Sequence, residues 1–222
     1  VRDAYSLSPY VNHTRTLIVA GCDEAGRGPL CGPVVAAAVI FPSFEIDIPV
    51  KITDSKKMNH TQRAAALDWI KANTIWAVGE CSPTEIDEIN ILWASMLAMK
   101  RAIDNLSQTP DFVLVDGNRI PKGITAAPAR KDNVSSCAQF DYVSQMDGNE
   151  MLGRAVVKGD AKSLSIAAAS IIAKETRDQI MSDLAAEFPQ YGWDKNAGYP
   201  TASHLQAIEK YGINKHYRKS YR

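Results

Sequence analysis

An α/β fold in one domain is what this sequence predicts, and three observations carry that expectation. Short apolar runs bounded by Gly or by an acid recur along the chain, as buried strands do. Capped stretches with apolar stripes lie between them, as covering helices do. With 45% hydrophobic residues the chain can bury a sizeable core, and no low-complexity linker or internal repeat divides it. One domain over residues 1–222 is expected, with a helical extension and basic tail from about residue 189.

Thr16–Ala20 and Val34–Ile40 read as the first two strands, joined by a Gly/Pro-rich corner, and Trp76–Cys81 as a third. Thr61–Asn73 has helical character. Ser82-Pro83-Thr84-Glu85 combines a Ser cap, an early Pro and a following Glu, so a helix starts there. Ile86, Ile89, Trp93, Met96, Leu97 and Ile103 form its expected buried stripe. Phe112–Val115 and Arg154–Val157 complete five strands. Ser163–Phe188 reads as a long Ala-rich helix that stops before Pro189, and a shorter helix follows near Ala202–Tyr211. The polar segment Thr125–Glu150 reads as an extra hairpin or a mobile loop.

Charge and cysteine usage bound the partners. Lys+Arg and Asp+Glu both number 25, which argues against a globally basic nucleic-acid binder and leaves room for a local patch. Lys210, Lys215, His216, Arg218, Lys219 and Arg222, interleaved with Tyr211, Tyr217 and Tyr221, suit either a flexible arm near phosphates or an ordinary solvated tail. Cys22, Cys31, Cys81 and Cys137 lack Cys-x-x-Cys spacing, and the histidines lack paired spacing, so structural zinc is not expected. Without a secretory signal or a bilayer-length apolar run, the expectation is a soluble, cytoplasmic chain with reduced thiols and no membrane partner.

The acids carry the chemistry. Leu17-Ile18-Val19-Ala20 leads into Asp23-Glu24, Phe112–Val115 into Asp116, and Ala155-Val156-Val157 through Lys158-Gly159 into Asp160. Taken singly, each acid reads as a solvated turn residue or a helix cap. Three apolar runs ending in carboxylates point instead to one pocket, because ligands bind beyond the carboxyl ends of strands in open α/β sheets. An ionised carboxylate there needs a partner or a metal, and hard oxygen ligands suit Mg²⁺ or Mn²⁺.

Six ordered segments sharpen this reading: Gly21-Cys22-Asp23-Glu24-Ala25-Gly26-Arg27-Gly28-Pro29, Thr53-Asp54-Ser55-Lys56-Lys57, Val115-Asp116-Gly117-Asn118, Lys158-Gly159-Asp160, Ala167–Lys174 and Gly198–His204. Together they resemble bacterial ribonuclease HII, of the type 2 ribonuclease H family, from about Val19 to about His216. The resemblance implies a ribonuclease H-like mixed five-stranded sheet flanked by helices. It also implies hydrolysis of RNA in RNA/DNA hybrids, and cutting 5′ to ribonucleotides embedded in duplex DNA. Asp23, Glu24, Asp116 and Asp160 would be the catalytic and metal-binding acids, with one or two Mg²⁺ or Mn²⁺ ions, leaving 3′-hydroxyl and 5′-phosphate ends. Gly26, Arg27, Gly28 and Tyr199 would read the ribonucleotide. Lys56 would hold the backbone with its neighbour Lys57.

Ser170, Lys174 and Arg177 share one face of the long helix and are candidates for backbone contact. Asp147 reads as a turn residue; Asp141 is the more awkward competitor for the last acid position, although Lys158-Gly159-Asp160 fits the family pattern better. A general two-metal DNA nuclease and a non-catalytic duplex-binding module are the competing readings. Ribonuclease HIII is close in fold, but no extra N-terminal domain is seen ahead of Asp23. The P-loop signature is absent. A monomer is favoured, and sliding-clamp recruitment is left open.

Overall fold

The structure is a computed structural model that describes residues 17–43, 46–127 and 151–221. Asp141, Asp147 and Cys137 therefore lie outside the described residues.

The sheet is built from β1 (Val19–Ala25), β2 (Val34–Ile40), β3 (Ile75–Cys81), β4 (Phe112–Asp116), β5 (Thr125–Ala126) and β6 (Leu152–Val156). Their order is β3-β2-β1-β4-β6-β5. β1, β2 and β3 pair antiparallel, while β4 joins β1, β6 joins β4 and β5 joins β6 in parallel. Among the described residues six strands stand where five were expected. The extra one is a two-residue edge strand at the start of the segment read as a hairpin or loop, and its two residues pair with Leu152 and Gly153.

Helices α1 (His60–Asn73) and α3 (Leu164–Glu187) cover one face, and α2 (Pro83–Asp104) covers the other. Strand alternation sorts the side chains between them. Ala36, Ala38, Ala20 and Cys22 face Ala94, Ala98, Met99 and Ala102 of α2. Ala37 and Val39 pack with Ile70 of α1 and Ala168, Ile171 and Ile172 of α3. The small residues on both sides let helix backbone lie close to sheet backbone.

Two expectations change for clear physical reasons. β1 does not end at Ala20 but runs through Asp23 and Glu24, because its backbone stays paired with β4 as far as Cys22 and with β2 as far as Ala25. The stripe of α2 is buried at Ile86, Met96 and Ile103, whereas Trp93 is 40% exposed. Asn90 breaks the helix with φ 62°, and its side-chain oxygen accepts from the N–H groups of Leu92 and Trp93. The second half of the helix therefore restarts in a new phase and turns Ala94, Ala98 and Ala102 inward.

Beyond α3, the short α4 (Trp193–Asn196) and α5 (Ala202–Tyr211) form a second small core with the end of α3. Tyr191, Trp193 and Tyr217 pack there with Cys31, Met181 and Ala185. His204 is fully buried among them; its Nε2 accepts from the Trp193 indole N–H at 3.1 Å and lies 2.8 Å from the Tyr217 hydroxyl. Its Nδ1 lies 2.9 Å from the Tyr199 carbonyl, an arrangement that suits the Nδ1–H tautomer. The basic tail is accordingly no free arm: Tyr217 and Arg218 are buried, and Lys219 and Ser220 donate backbone N–H groups to Asp87 of α2.

Candidate active site

The parallel register of β1 and β4 sets the geometry. Cys22 lies opposite Val115, so Asp23 and Asp116 come next on adjacent strands. Both fall on the face covered by α3, because Cys22 and Val115 belong to the opposite, α2-facing core. β6 pairs Val156 with Asp116, and the 3₁₀ turn Gly159–Ala161 then brings the Gly159 N–H to the Asp116 carboxylate at 2.6 Å. That turn also carries Asp160. Three strand ends thus deliver Asp23, Glu24, Asp116 and Asp160 to one edge of the sheet.

The electrostatics are those of crowded acids. Asp23 is 6% exposed, and burial, together with the charges of Glu24 and Asp116, pushes its carboxyl well above the ordinary range. The Ser170 hydroxyl and the Glu24 N–H, which donates to Asp23 at 2.7 Å, only partly offset this. Burial also raises Glu24, with Arg27 opposing at 3.3 Å and Asp116 adding to the rise. Glu24 Oε2 is buried with no hydrogen-bond partner. Asp160 is raised by burial and then by Asp54 and Asp116.

These features fit a divalent cation. An acceptor with nothing to accept, beside three carboxylates that repel one another, is stabilised by a positive charge among them. Among the described residues no three His, Cys, Asp or Glu side chains are grouped closely enough to hold a metal ion by themselves. Water or phosphate oxygens would have to complete the coordination, and Mg²⁺ ordinarily keeps several waters.

The remaining expected site residues separate into two groups. Arg27 and Gly28 are exposed on the corner after β1, and a Cβ placed on Gly28 would lie 3.3 Å from Tyr199 Cε1, so the corner and Tyr199 do come together. Tyr199 is half exposed. Lys56 sits in the 3₁₀ turn Ser55–Lys57, whose start is capped by Asp54 through the Lys56 N–H at 3.0 Å. This turn reaches the acids, since the charges of both Asp54 and Lys56 act on Asp160.

The proposed helix face holds less well. Ser170 is buried, 2.9 Å from Ser55, and serves Asp23 rather than an open surface. Lys174 pairs with Asp178. Arg177 is 2% exposed and donates to the carbonyls of Cys31, Pro33 and Ala197, because the corner's oxygens need donors more than α3 needs a charged surface. Asp54 and Arg218 were missed as contributors. The cue for Asp54 was its place in the Asp-Ser-Lys-Lys run, read only for its lysines. Cys22, Cys31 and Cys81 are buried free thiols whose pKa values burial raises, Cys31 to about 12 and Cys81 to about 11, so they are packing residues rather than nucleophiles.

Comparison with known proteins bears on the family and the fold. Ribonuclease HII of Paracoccus denitrificans is 46% identical over 217 residues, covering 98% of this chain and 90% of that protein. Ribonuclease HII of Ruegeria sp. (strain TM1040) is 46% identical over 204 residues, covering 92% and 77%. The crystal structure of the ribonuclease H2 from Pyrococcus horikoshii OT3 superposes with a TM-score of 0.67 at 26% identity, covering 93% of this chain and 94% of that one. The family model described as Ribonuclease HII matches residues 20–222, from β1 to the tail that packs behind the corner, and with these relatives it places the chain in the ribonuclease HII family.

Proposed function

We infer that this ribonuclease HII family member is a metal-dependent endoribonuclease that hydrolyses the RNA strand of RNA/DNA hybrids. Beyond that, it cuts 5′ to single ribonucleotides embedded in duplex DNA and leaves 3′-hydroxyl and 5′-phosphate ends. The observation that carries this reading is the juxtaposition of Asp23 and Asp116 beside the buried, unpartnered oxygen of Glu24, with the Arg27-Gly28 corner and Tyr199 alongside. Acids alone would suit any phosphoryl-transfer enzyme; the corner supplies the preference for ribose.

Asp23, Glu24, Asp116 and Asp160 hold the ions, Mg²⁺ foremost, with Mn²⁺ as substitute. Such ions supply an activated water and neutralise charge on the leaving oxygen. Gly159 fixes Asp116 by its N–H, and Arg27 keeps Glu24 oriented while its exposed guanidinium reaches for phosphate. Backbone N–H groups of the corner meet the 2′-hydroxyl, which is what separates RNA from DNA, and the Tyr199 ring packs against the sugar. Lys56 holds the backbone beyond Asp160. Residues 189–222 extend a single catalytic domain, and within them Tyr217, Arg218 and Tyr221 complete the wall behind the corner. No described helix is long and apolar enough to cross a membrane, and a substrate made in chromosomal DNA suits a cytoplasmic place of work.

The test is a duplex with one ribonucleotide, an all-DNA control, and Mg²⁺, Mn²⁺ or EDTA. Metal-dependent cutting of the first duplex alone, 5′ to the ribonucleotide, is expected. Cutting of both duplexes would make the protein a general nuclease, and a cyclic phosphate end would rule out attack by water. Replacing Tyr199 by Ala is expected to lower kcat/KM on the single-ribonucleotide duplex roughly tenfold, on the scale of one lost stacking contact. Unchanged kinetics would remove Tyr199 from the reader.

A further inference from the structure

The corner after β1 turns most of its carbonyl oxygens toward one guanidinium, Arg177 taking those of Cys31 and, in part, Pro33. Arg218, 3% exposed, donates to the carbonyls of Gly26 (2.6 Å), Arg27 (3.2 Å), Pro29 (2.8 Å), Gly32 (2.9 Å) and Pro33 (3.2 Å). Tyr221 donates its hydroxyl to the Arg27 carbonyl too, and accepts from Arg218 at 3.2 Å. The tail that carries these two side chains is itself fixed. Arg218 N–H donates to the Leu30 carbonyl at 2.9 Å, Tyr217 bridges to Cys31, and Asp87 accepts from Lys219 and Ser220.

The consequence lies on the other side of the same peptides. No described peptide is cis, so a carbonyl and the N–H that follows it point in opposite directions. Gly26 oxygen shares a plane with the Arg27 N–H, and Arg27 oxygen shares a plane with the Gly28 N–H. With both oxygens held inward by Arg218 and Tyr221, both N–H groups are aimed outward. Neither has an acceptor among the described residues, both residues are exposed, and the Tyr199 ring stands beside Gly28.

We propose that Arg218, seconded by Tyr221, is the positioning residue for ribonucleotide discrimination: from behind the corner it fixes the two peptide planes whose N–H groups meet the sugar. The proposal rests on the reading of that corner as the ribose reader. Arg suits the task because its planar fork carries five donors and no acceptor, whereas Lys offers three donors from a single nitrogen. Without the fork these peptides are free to rotate, and the N–H groups lose their common aim.

The experiment compares wild type with Arg218→Lys and Tyr221→Phe, in Mg²⁺. KM is measured for the duplex with one ribonucleotide, and Ki for the matching all-DNA duplex as competitor. The ratio Ki/KM reports what the 2′-hydroxyl adds to recognition. An unfolded fraction lowers apparent kcat but moves neither KM nor Ki, so the ratio separates aiming from mere stability. The ratio is expected to fall roughly tenfold in Arg218→Lys and about threefold in Tyr221→Phe, the scale of one or a fraction of one hydrogen bond. A wild-type ratio near one would remove the ribose-reading corner and the proposal with it. A large wild-type ratio that both variants keep would overturn the role of Arg218 and leave the reader in place.

Discussion

Replacing Asp23 by Asn is expected to abolish most turnover while raising the stability of the metal-free protein. The loss should reach at least roughly 10²–10³-fold in kcat, the scale seen when one preorganised electrostatic partner leaves an active site. The gain in stability follows from the sign of the shift. Burial first, and then Glu24 and Asp116, hold the Asp23 carboxyl well above its ordinary value. The folded state therefore binds this proton more tightly than the unfolded chain does. Stability from this group is full below the unfolded value of about 4 and is lost as pH rises through the raised folded value. At pH 8 in EDTA the wild type carries that cost, and the Asp23→Asn variant does not. The amide also retains an oxygen to accept the Glu24 N–H. Calorimetry at pH 8 in EDTA should show a higher Tm for the variant, by about 2–4 °C for each kcal/mol relieved. Mg²⁺ should raise the Tm of the wild type more than that of the Asp23→Asn variant, because binding to the folded state alone is stabilising. Wild-type-like turnover would take Asp23 out of the catalytic set, and a lower Tm in EDTA would defeat the electrostatic account.

The same residues show how far the sequence could be read. Apolar runs ending in Asp23-Glu24, Asp116 and Asp160 announced three strand ends, and β-sheet topology made their convergence a physical expectation rather than a coincidence. The end of β1 was not legible, because Gly-Cys-Asp-Glu has little strand propensity of its own and is held extended by its partners, β2 along all four residues and β4 as far as Cys22. Trp93 was misplaced because a stripe counted at helical spacing assumes an unbroken helix, and Asn90 breaks it.

The two buried arginines were the hardest to see. Arg177 and Arg218 are assigned to the surface by their charge, yet desolvation, which lowers Arg177 to about 10 and also lowers Arg218, is accepted here in exchange for donors. A local signal did exist. Gly26 to Pro33 contains two prolines, which bring carbonyls but no N–H, in a turn too tight to pair its own oxygens. Such a segment needs a donor-only side chain from elsewhere. Only the fold could show that it comes from residues near the other end of the chain.

Gly21→Ala should be costly in a second, separable way. A Cβ at Gly21 would stand 2.3 Å from Ile166 N and 2.3 Å from the Ser165 carbonyl carbon, both main-chain atoms of α3 that no rotamer change can move. β1 and α3 must then part, at the upper end of the roughly 1–3 kcal/mol typical of overpacking. Gly79 provides the control. Its Cβ would meet Ala102 N and Ala98 O at 2.4 Å, the same kind of clash, but against α2 and on the outer strand β3. Urea denaturation should show comparable losses for Gly21→Ala and Gly79→Ala. Turnover per folded molecule should differ. Only the first change moves Asp23 relative to Ser170 and Asp116, and a displacement of about 1 Å in a catalytic group can lower a rate roughly 10²-fold. A Gly79→Ala protein that is less stable but fully active when folded, beside a Gly21→Ala protein that is impaired even when folded, would tie the close approach of α3 to the placing of the acids. Equal activity per folded molecule in the two would show that the seam serves packing alone, and that Asp23 is placed by its pairing with Ala37 of β2.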